Sequence, residues 1–239
     1  MSKDVPAEEG APAAPANGLP PALMPRWAPS EPVAAVLLLH GGRADAVAPP
    51  PRLNLPRRRM RPFGTAVIRA TRAERVLVGE VRYRHRGWNG PRQDAAHDAR
   101  RALAELRRTA GRVPVVLVGH SMGGRAALRV ADDPCVRGVV GLAPWCPPEE
   151  PVTHLGDTEI VLLHGEKDRV TSAQDSWEYV HRAYAAGVPA GMVVMPHGGH
   201  AMLGDARTWH RITTAVTLGL LGFAPIPPEV LVPWPPLRR

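Results

Sequence analysis

The sequence predicts an α/β domain built on a doubly wound, mostly parallel sheet of about six strands, flanked by helices and carrying only a minimal lid. Short runs rich in Val and Leu recur along the middle of the chain, bounded by turn residues. They alternate little, as strands buried on both faces do. Longer segments with apolar residues at helical spacing lie between them, and strands that alternate with helices give a parallel sheet with crossover helices.

Six runs are expected as strands: Val33–Leu39, Val76–Arg82, Val113–Gly119, Val136–Leu142, Glu159–Leu163 and Met192–Met195. Proline is absent from them except for Pro114, near the start of its strand, where a missing donor is tolerated. In the helical segment around 95–108, Ala95, Ala99, Ala102, Leu103 and Leu106 share one face, and Arg100, Arg101, Arg107 and Arg108 share the other. Further helices are expected near 56–72, with Pro62 as an alternative start, and near 122–132, 173–186 and 205–221. Only about 16 residues separate the strand ending at Leu142 from the one beginning at Glu159, too few for a large helical lid. Residues 33–222 are read as the folded domain. Residues 1–32 and 223–239, rich in Pro, are read as tails that cannot bury enough surface to fold alone. The five prolines of Leu19–Pro32 predict that no strand, or only a vestige, precedes Val33.

Composition narrows the class. With 44% hydrophobic residues the chain can bury a core, and no apolar run reaches the roughly 18 residues of a membrane span. Two cysteines make neither a disulfide framework nor a four-cysteine zinc site, and are expected as free thiols in a reducing, cytoplasmic setting. The formal charge is +8, and 28 of the 30 basic residues are Arg. The excess is local: residues 43–112 carry 18 Arg against six acids, while the remainder is net acidic. No nucleic-acid module accompanies this charge, so no nucleic-acid partner is expected; a solvated helix face and an Arg-biased composition account for most of it. Arg43, Arg84 and Arg86 follow the first two strands and are candidates for attracting anionic substrates.

Gly119-His120-Ser121-Met122-Gly123 follows the Val113–Val118 run and opens a helical segment. A serine nucleophile must project from a tight strand-to-helix turn, and the flanking glycines permit the close backbone approach. The helix N-terminus adds free N–H groups near developing negative charge.

On these residues the chain resembles the α/β-hydrolase family over about residues 33–222. That family orders its triad as Ser, acid, His. Leu162-Leu163-His164-Gly165-Glu166-Lys167-Asp168 resembles its acid-bearing turn, and Gly198-Gly199-His200-Ala201 its histidine loop. The resemblance implies Ser121 as nucleophile, Asp168 as acid and His200 as base. Asp157 and Asp175 are rivals for the acid, and His197 for the base. The loop His40-Gly41-Gly42-Arg43 resembles the oxyanion loop. It implies amides of Met122 and Gly42, with Arg43 as the alternative to Gly42, as oxyanion donors. Arg43, His120, Trp145 and Cys146 are candidate pocket residues, Trp145 and Cys146 because they follow a strand C-terminus and His120 as an occupant of the serine turn.

The implied activity is hydrolysis of a small-molecule carboxylic ester through an acyl-enzyme, with no cofactor and no metal. Two alternatives stay open: a thioesterase or acyltransferase acting on carrier-bound acyl groups, and a non-catalytic binding protein on the same scaffold.

Overall fold

The computed structural model describes residues 18–230. Seven strands form one sheet: β1 (Leu23–Trp27), β2 (Ala34–Leu39), β3 (Val76–Val81), β4 (Val115–His120), β5 (Val136–Leu142), β6 (Glu159–Gly165) and β7 (Ala190–Met195). Their spatial order is β1-β3-β2-β4-β5-β6-β7. All neighbours are parallel except β1, which runs antiparallel to β3. Five helices connect them: α1 (Leu55–Ala70), α2 (Asp94–Ala110), α3 (Met122–Arg129), α4 (Ala173–Ala185) and α5 (Ala206–Leu220). The expected fold class holds, with one strand more than the sequence suggested.

The central strands are buried on both sides because their side chains alternate between two cores. In β4, Val115 and Leu117 join the cluster under α2, α3 and α4, while Val116 and Val118 join the one under α1 and α5. α1 presents Met60, Phe63, Gly64 and Val67 to the sheet, one helical face. It begins at Leu55, with Pro56 in the first turn, so Pro62 lies inside the helix rather than starting it. Proline in the first turn removes a donor that would be unpaired anyway, whereas Pro62 removes an internal one.

The extra strand β1 falls inside the segment read as a tail. Proline is compatible with it because β1 is at the sheet edge and pairs on one side only. Pro25 lies next to a register shift between Pro25 and Trp27. Arg26, also in β1, and Arg57 of α1 both reach Glu80 of β3, at 3.2 and 2.6 Å. At the other end, residues 223–230 leave α5 and fold back on it. Ile226 sits over Gly219, where a Cβ would meet it at 2.6 Å, and Glu229 pairs with Arg211 at 3.0 Å. The remainder of the two expected tails, residues 1–17 and 231–239, lies outside the described residues. No helix among the described residues is long and apolar enough to cross a membrane, and no helix interrupts residues 143–158.

Candidate active site

The loops at the C-terminal ends of the parallel strands gather most of the residues singled out above, where open α/β sheets place their ligands. Ser121 links β4 to α3 with φ 55° and ψ −120°, a conformation that non-glycine residues rarely adopt. Its amide donates to the Leu142 carbonyl at 3.1 Å, and its own carbonyl accepts from Arg125 N and Trp145 N, both at 3.1 Å. The flanking glycines are required sterically. A Cβ on Gly119 would lie 2.3 Å from the Gly123 carbonyl oxygen, and one on Gly123 would lie 2.3 Å from that of Leu39. α3 can therefore press against the end of β2 only if both positions lack side chains.

Asp168 follows β6 in a turn closed by Asp168 N to Gly165 O at 3.1 Å. Its carboxylate is buried and fully engaged. Oδ1 accepts from the amides of Val170 and Thr171 at 2.8 and 3.0 Å. Oδ2 accepts from the Thr171 hydroxyl at 2.9 Å and pairs with His200 Nδ1 at 2.8 Å. His164 Nε2 approaches the same oxygen at 3.3 Å, and its Nδ1 meets the Ser176 hydroxyl at 2.8 Å. Burial pushes the Asp168 carboxyl up. The hydrogen bonds from His164, the Val170 amide, His200 and the Thr171 amide outweigh it and hold the group well below the usual carboxylate range.

The His200 ring hydrogen-bonds through Nδ1 alone, so Nε2 has no protein partner among the described residues. Ser121 Oγ likewise makes no hydrogen bond there. The structure thus pairs Asp168 with His200 but leaves the serine and histidine unpaired. His120 ties the two together indirectly: it precedes Ser121 in the chain, bonds the His200 carbonyl through Nε2 at 2.9 Å, and holds its ring centroid 4.8 Å from that of His200. Burial lowers the His120 pKa to about 3, so the ring is neutral and Nε2–H is the donor. Nδ1 is then a buried acceptor without a donor, and a Cβ on Gly41 would sit 3.0 Å from it.

The second loop on this edge is fixed by close approach rather than by side-chain bonds. A Cβ on Gly42 would lie 2.5 Å from the Arg86 carbonyl oxygen and 2.5 Å from Met122 Sδ and Cε. Gly42 and Met122 are therefore in contact, with Met122 at the first position of α3, where helix amides lack internal acceptors. The Arg43 amide is occupied by the Arg86 carbonyl at 3.0 Å, while the Gly42 amide has no acceptor among the described residues.

The remaining candidates separate. Arg43 lines a cavity of about 320 Å³ beside Gly42. Trp145 lines another of about 500 Å³ with Trp88, Asp45 and Glu149. Its ring lies 4.4 Å from the Arg125 guanidinium, which also meets the Trp88 ring at 4.2 Å, the two indoles packing edge to face. Cys146 is not a pocket residue: it is 2% exposed within the core cluster, and burial pushes its thiol up. The proline-bounded turn 144–148 directs Trp145 outward and the next side chain inward. His120 is likewise buried beneath His200 rather than on a cavity wall. Asp157 lines a cavity with Arg112 and Pro114, at the opposite ends of the strands, and Asp175 lies in the first turn of α4. His197 is exposed in a left-handed conformation and does not meet Asp168. Among the described residues no cluster of three His, Cys, Asp or Glu is placed to hold a metal ion.

Several residues were not singled out from sequence. Thr171 touches Asp168, His200 and the Ala143 carbonyl at once. Arg125 and Arg129 pair with the buried Glu150 at 2.5 and 2.6 Å. A charged residue on the apolar face of the helix after Ser121 was the available signal for Arg125. Thr171 carried none, because a hydroxyl three residues past an aspartate is ordinary loop composition.

The chain matches the model of the alpha/beta hydrolase family over residues 36–157, a span that holds the Gly42 loop and the serine turn and ends before Asp168. No curated protein matches it. Among solved structures, a putative alpha/beta hydrolase from Agrobacterium tumefaciens is 14% identical, with a TM-score of 0.64, covering 88% of this chain and 94% of that one. An α/β serine hydrolase without a lid from Xanthomonas campestris is 16% identical, TM-score 0.57, covering 86% and 89%. An alpha-beta serine hydrolase homologue from Coxiella burnetii is 17% identical, TM-score 0.56, covering 80% and 88%. At these identities the likenesses establish the fold.

Proposed function

This chain belongs to the alpha/beta hydrolase family, and we propose that it is a serine hydrolase that cleaves carboxylic esters of small molecules, with Ser121, His200 and Asp168 as its triad. The observation that carries this reading is the 2.8 Å pair between Asp168 Oδ2 and His200 Nδ1, on the edge where Ser121 occupies its strained turn. The description of two similar structures as serine hydrolases is consistent with it.

The reaction follows from the atoms available. Asp168 holds the proton of His200 on Nδ1, so Nε2 is the basic nitrogen. Nε2 removes the proton from Ser121 Oγ as that oxygen attacks the ester carbonyl. The C=O π electrons move onto oxygen, and the amides of Gly42 and Met122 stabilise that charge, each worth ~3 kcal/mol. The C–O bond to the alcohol then breaks, His200 returns its proton to the leaving oxygen, and an acyl-Ser121 remains. Water repeats the sequence from the same nitrogen and releases the acid. Because Asp168 is held far below the usual carboxylate range, it remains an anion throughout and stabilises the imidazolium.

The test is labelling by a fluorophosphonate probe together with turnover of p-nitrophenyl esters. Ser121→Ala is expected to lose labelling and at least about 10⁴-fold in kcat. Equal labelling of the folded variant would refute the assignment. Parallel turnover of matched oxygen esters and thioesters distinguishes the ester reading from the thioesterase alternative.

A further inference from the structure

The arginines that make residues 43–112 basic divide into two groups. Several are held by buried carboxylates: Arg57 on Glu80 at 2.6 Å, and Arg84 and Arg101 on Asp98 at 2.6 and 3.1 Å. Those guanidinium groups compensate charges of the fold and are not available to a ligand. Arg84, one of three arginines expected near the catalytic edge, is removed from that role by Asp98, which also accepts its amide at 2.8 Å.

Arg43 and Arg86 behave differently. Neither guanidinium has a hydrogen bond or ion pair among the described residues, although Arg86 is half-buried. Both line the cavity of about 320 Å³ whose wall also includes Gly42. That cavity has no acidic residue in its lining. Pro51, Leu53 and Leu55 supply an apolar side. His40, also on the wall, is a neutral ring because burial lowers its pKa to about 4. The two arginines are held in register by the main chain: Arg43 N donates to Arg86 O at 3.0 Å, Trp88 N to Arg43 O at 2.9 Å and Arg86 N to Ala48 O at 3.0 Å. Two cations without counter-charge among the described residues thus line one cavity with Gly42, whose amide has no acceptor there.

We propose that this cavity is an anion-binding subsite, and that the preferred substrates are small esters carrying a carboxylate. Arg86, half-buried without a partner, is partly desolvated and unfavourable as it stands, Arg43 is exposed beside it, and a planar carboxylate meets a guanidinium fork with two charge-assisted hydrogen bonds. A cavity of this volume suits a short chain between that carboxylate and a carbonyl at Gly42. The inference rests on the serine-ester reading of the same edge and adds the substrate class to it.

The experiment compares kcat/KM within two ester pairs. Mono-p-nitrophenyl glutarate against p-nitrophenyl hexanoate places the charge on the acyl side. 4-Acetoxybenzoate against methyl 4-acetoxybenzoate places it on the alcohol side. Each pair is measured in the wild type, Arg43→Gln, Arg86→Gln and Arg108→Gln, the last an exposed arginine of α2 remote from the cavity. Preference for the anionic member is expected in at least one pair. It should fall about tenfold in each of the Arg43 and Arg86 variants and stay constant in the Arg108 variant. Ratios equal across all four active proteins overturn the subsite and leave the hydrolase assignment standing. If neither pair is turned over and Ser121 fails to label, the underlying assignment has failed. Calorimetric titration of glutarate into Ser121→Ala then decides the subsite alone. Salt-sensitive binding lost in the Arg43 and Arg86 variants supports it, and no binding overturns it.

Discussion

The two sides of the catalytic edge are built by opposite means. On the β6–β7 side, Asp168 has its carboxylate oxygens engaged by two amides, a hydroxyl and two imidazoles. On the β2–β3 side, Gly42 is placed by steric contact with Met122 and the Arg86 carbonyl, and Arg43 and Arg86 have no counter-charge among the described residues. The first side is complete without a ligand; the second has a free amide and free cations. A buried ionised carboxylate must be satisfied internally to hold one position, and so to hold its imidazole partner in one tautomer. Groups meant for a substrate must be held by the backbone instead, so that their polar atoms stay available.

The sharpest way to break this contrast is to weaken the complete side. Asp168→Asn preserves the shape but removes the charge and the tautomer control, so kcat/KM for a p-nitrophenyl ester is expected to fall about 10⁴-fold. A loss smaller than tenfold would mean that the dense network is merely structural. Gly42→Ala probes the other side. Its Cβ would lie 2.5 Å from the Arg86 carbonyl, so the loop must shift and a donor is displaced. A drop in kcat of about 100-fold is expected, with fluorophosphonate labelling slowed in the variant that remains folded by circular dichroism.

The smallest effect concerns stability. His120 and His40 have folded pKa values lowered to about 3 and about 4 by burial, against an unfolded value near 6.5. Between roughly pH 6.5 and those folded values the unfolded chain binds more protons, so stability falls as pH drops through this window. Urea unfolding should lose a few kcal/mol from pH 7 to pH 4, with a shallower slope in His120→Gln. Asp168 has the depressed carboxylate pattern: its contribution is present above the unfolded pKa and is lost only as pH falls below about 4. An unchanged slope in His120→Gln would show that this ring does not hold the two loops together as a neutral donor.

The serine turn was readable because Gly119 is imposed by its own neighbour, the Gly123 carbonyl, and a local contact leaves a local pattern, whereas Gly123 and Gly165 answer to Leu39 and Gly198, far off in the chain. Strand periodicity put the segments after β4, β6 and β7 on one edge, and the resemblance to the family's turns singled out Ser121, Asp168 and His200 within them. β1 escaped because five prolines in Leu19–Pro32 contradict a strand by propensity, and only the edge position relieves the conflict. That Cys146 rather than Trp145 faces the core was not legible, because a turn rich in proline gives no period from which to tell which of two adjacent side chains points inward. The division of the arginines was also invisible. Arg84 and Arg86 are two residues apart and alike in sequence, and only Asp98, which lies on a helix packed against the loop, tells them apart.

The edge strand β1 has a consequence for how copies of the molecule meet. Pro25 lacks a donor, the register shift beside it breaks the spacing of the outer row, and Arg26 puts a charge at the same point. An incoming strand finds no regular ladder there to extend. The sheet is thereby blunted against edge-to-edge growth on that side, and colloidal behaviour at high concentration should depend on the integrity of these three neighbouring positions.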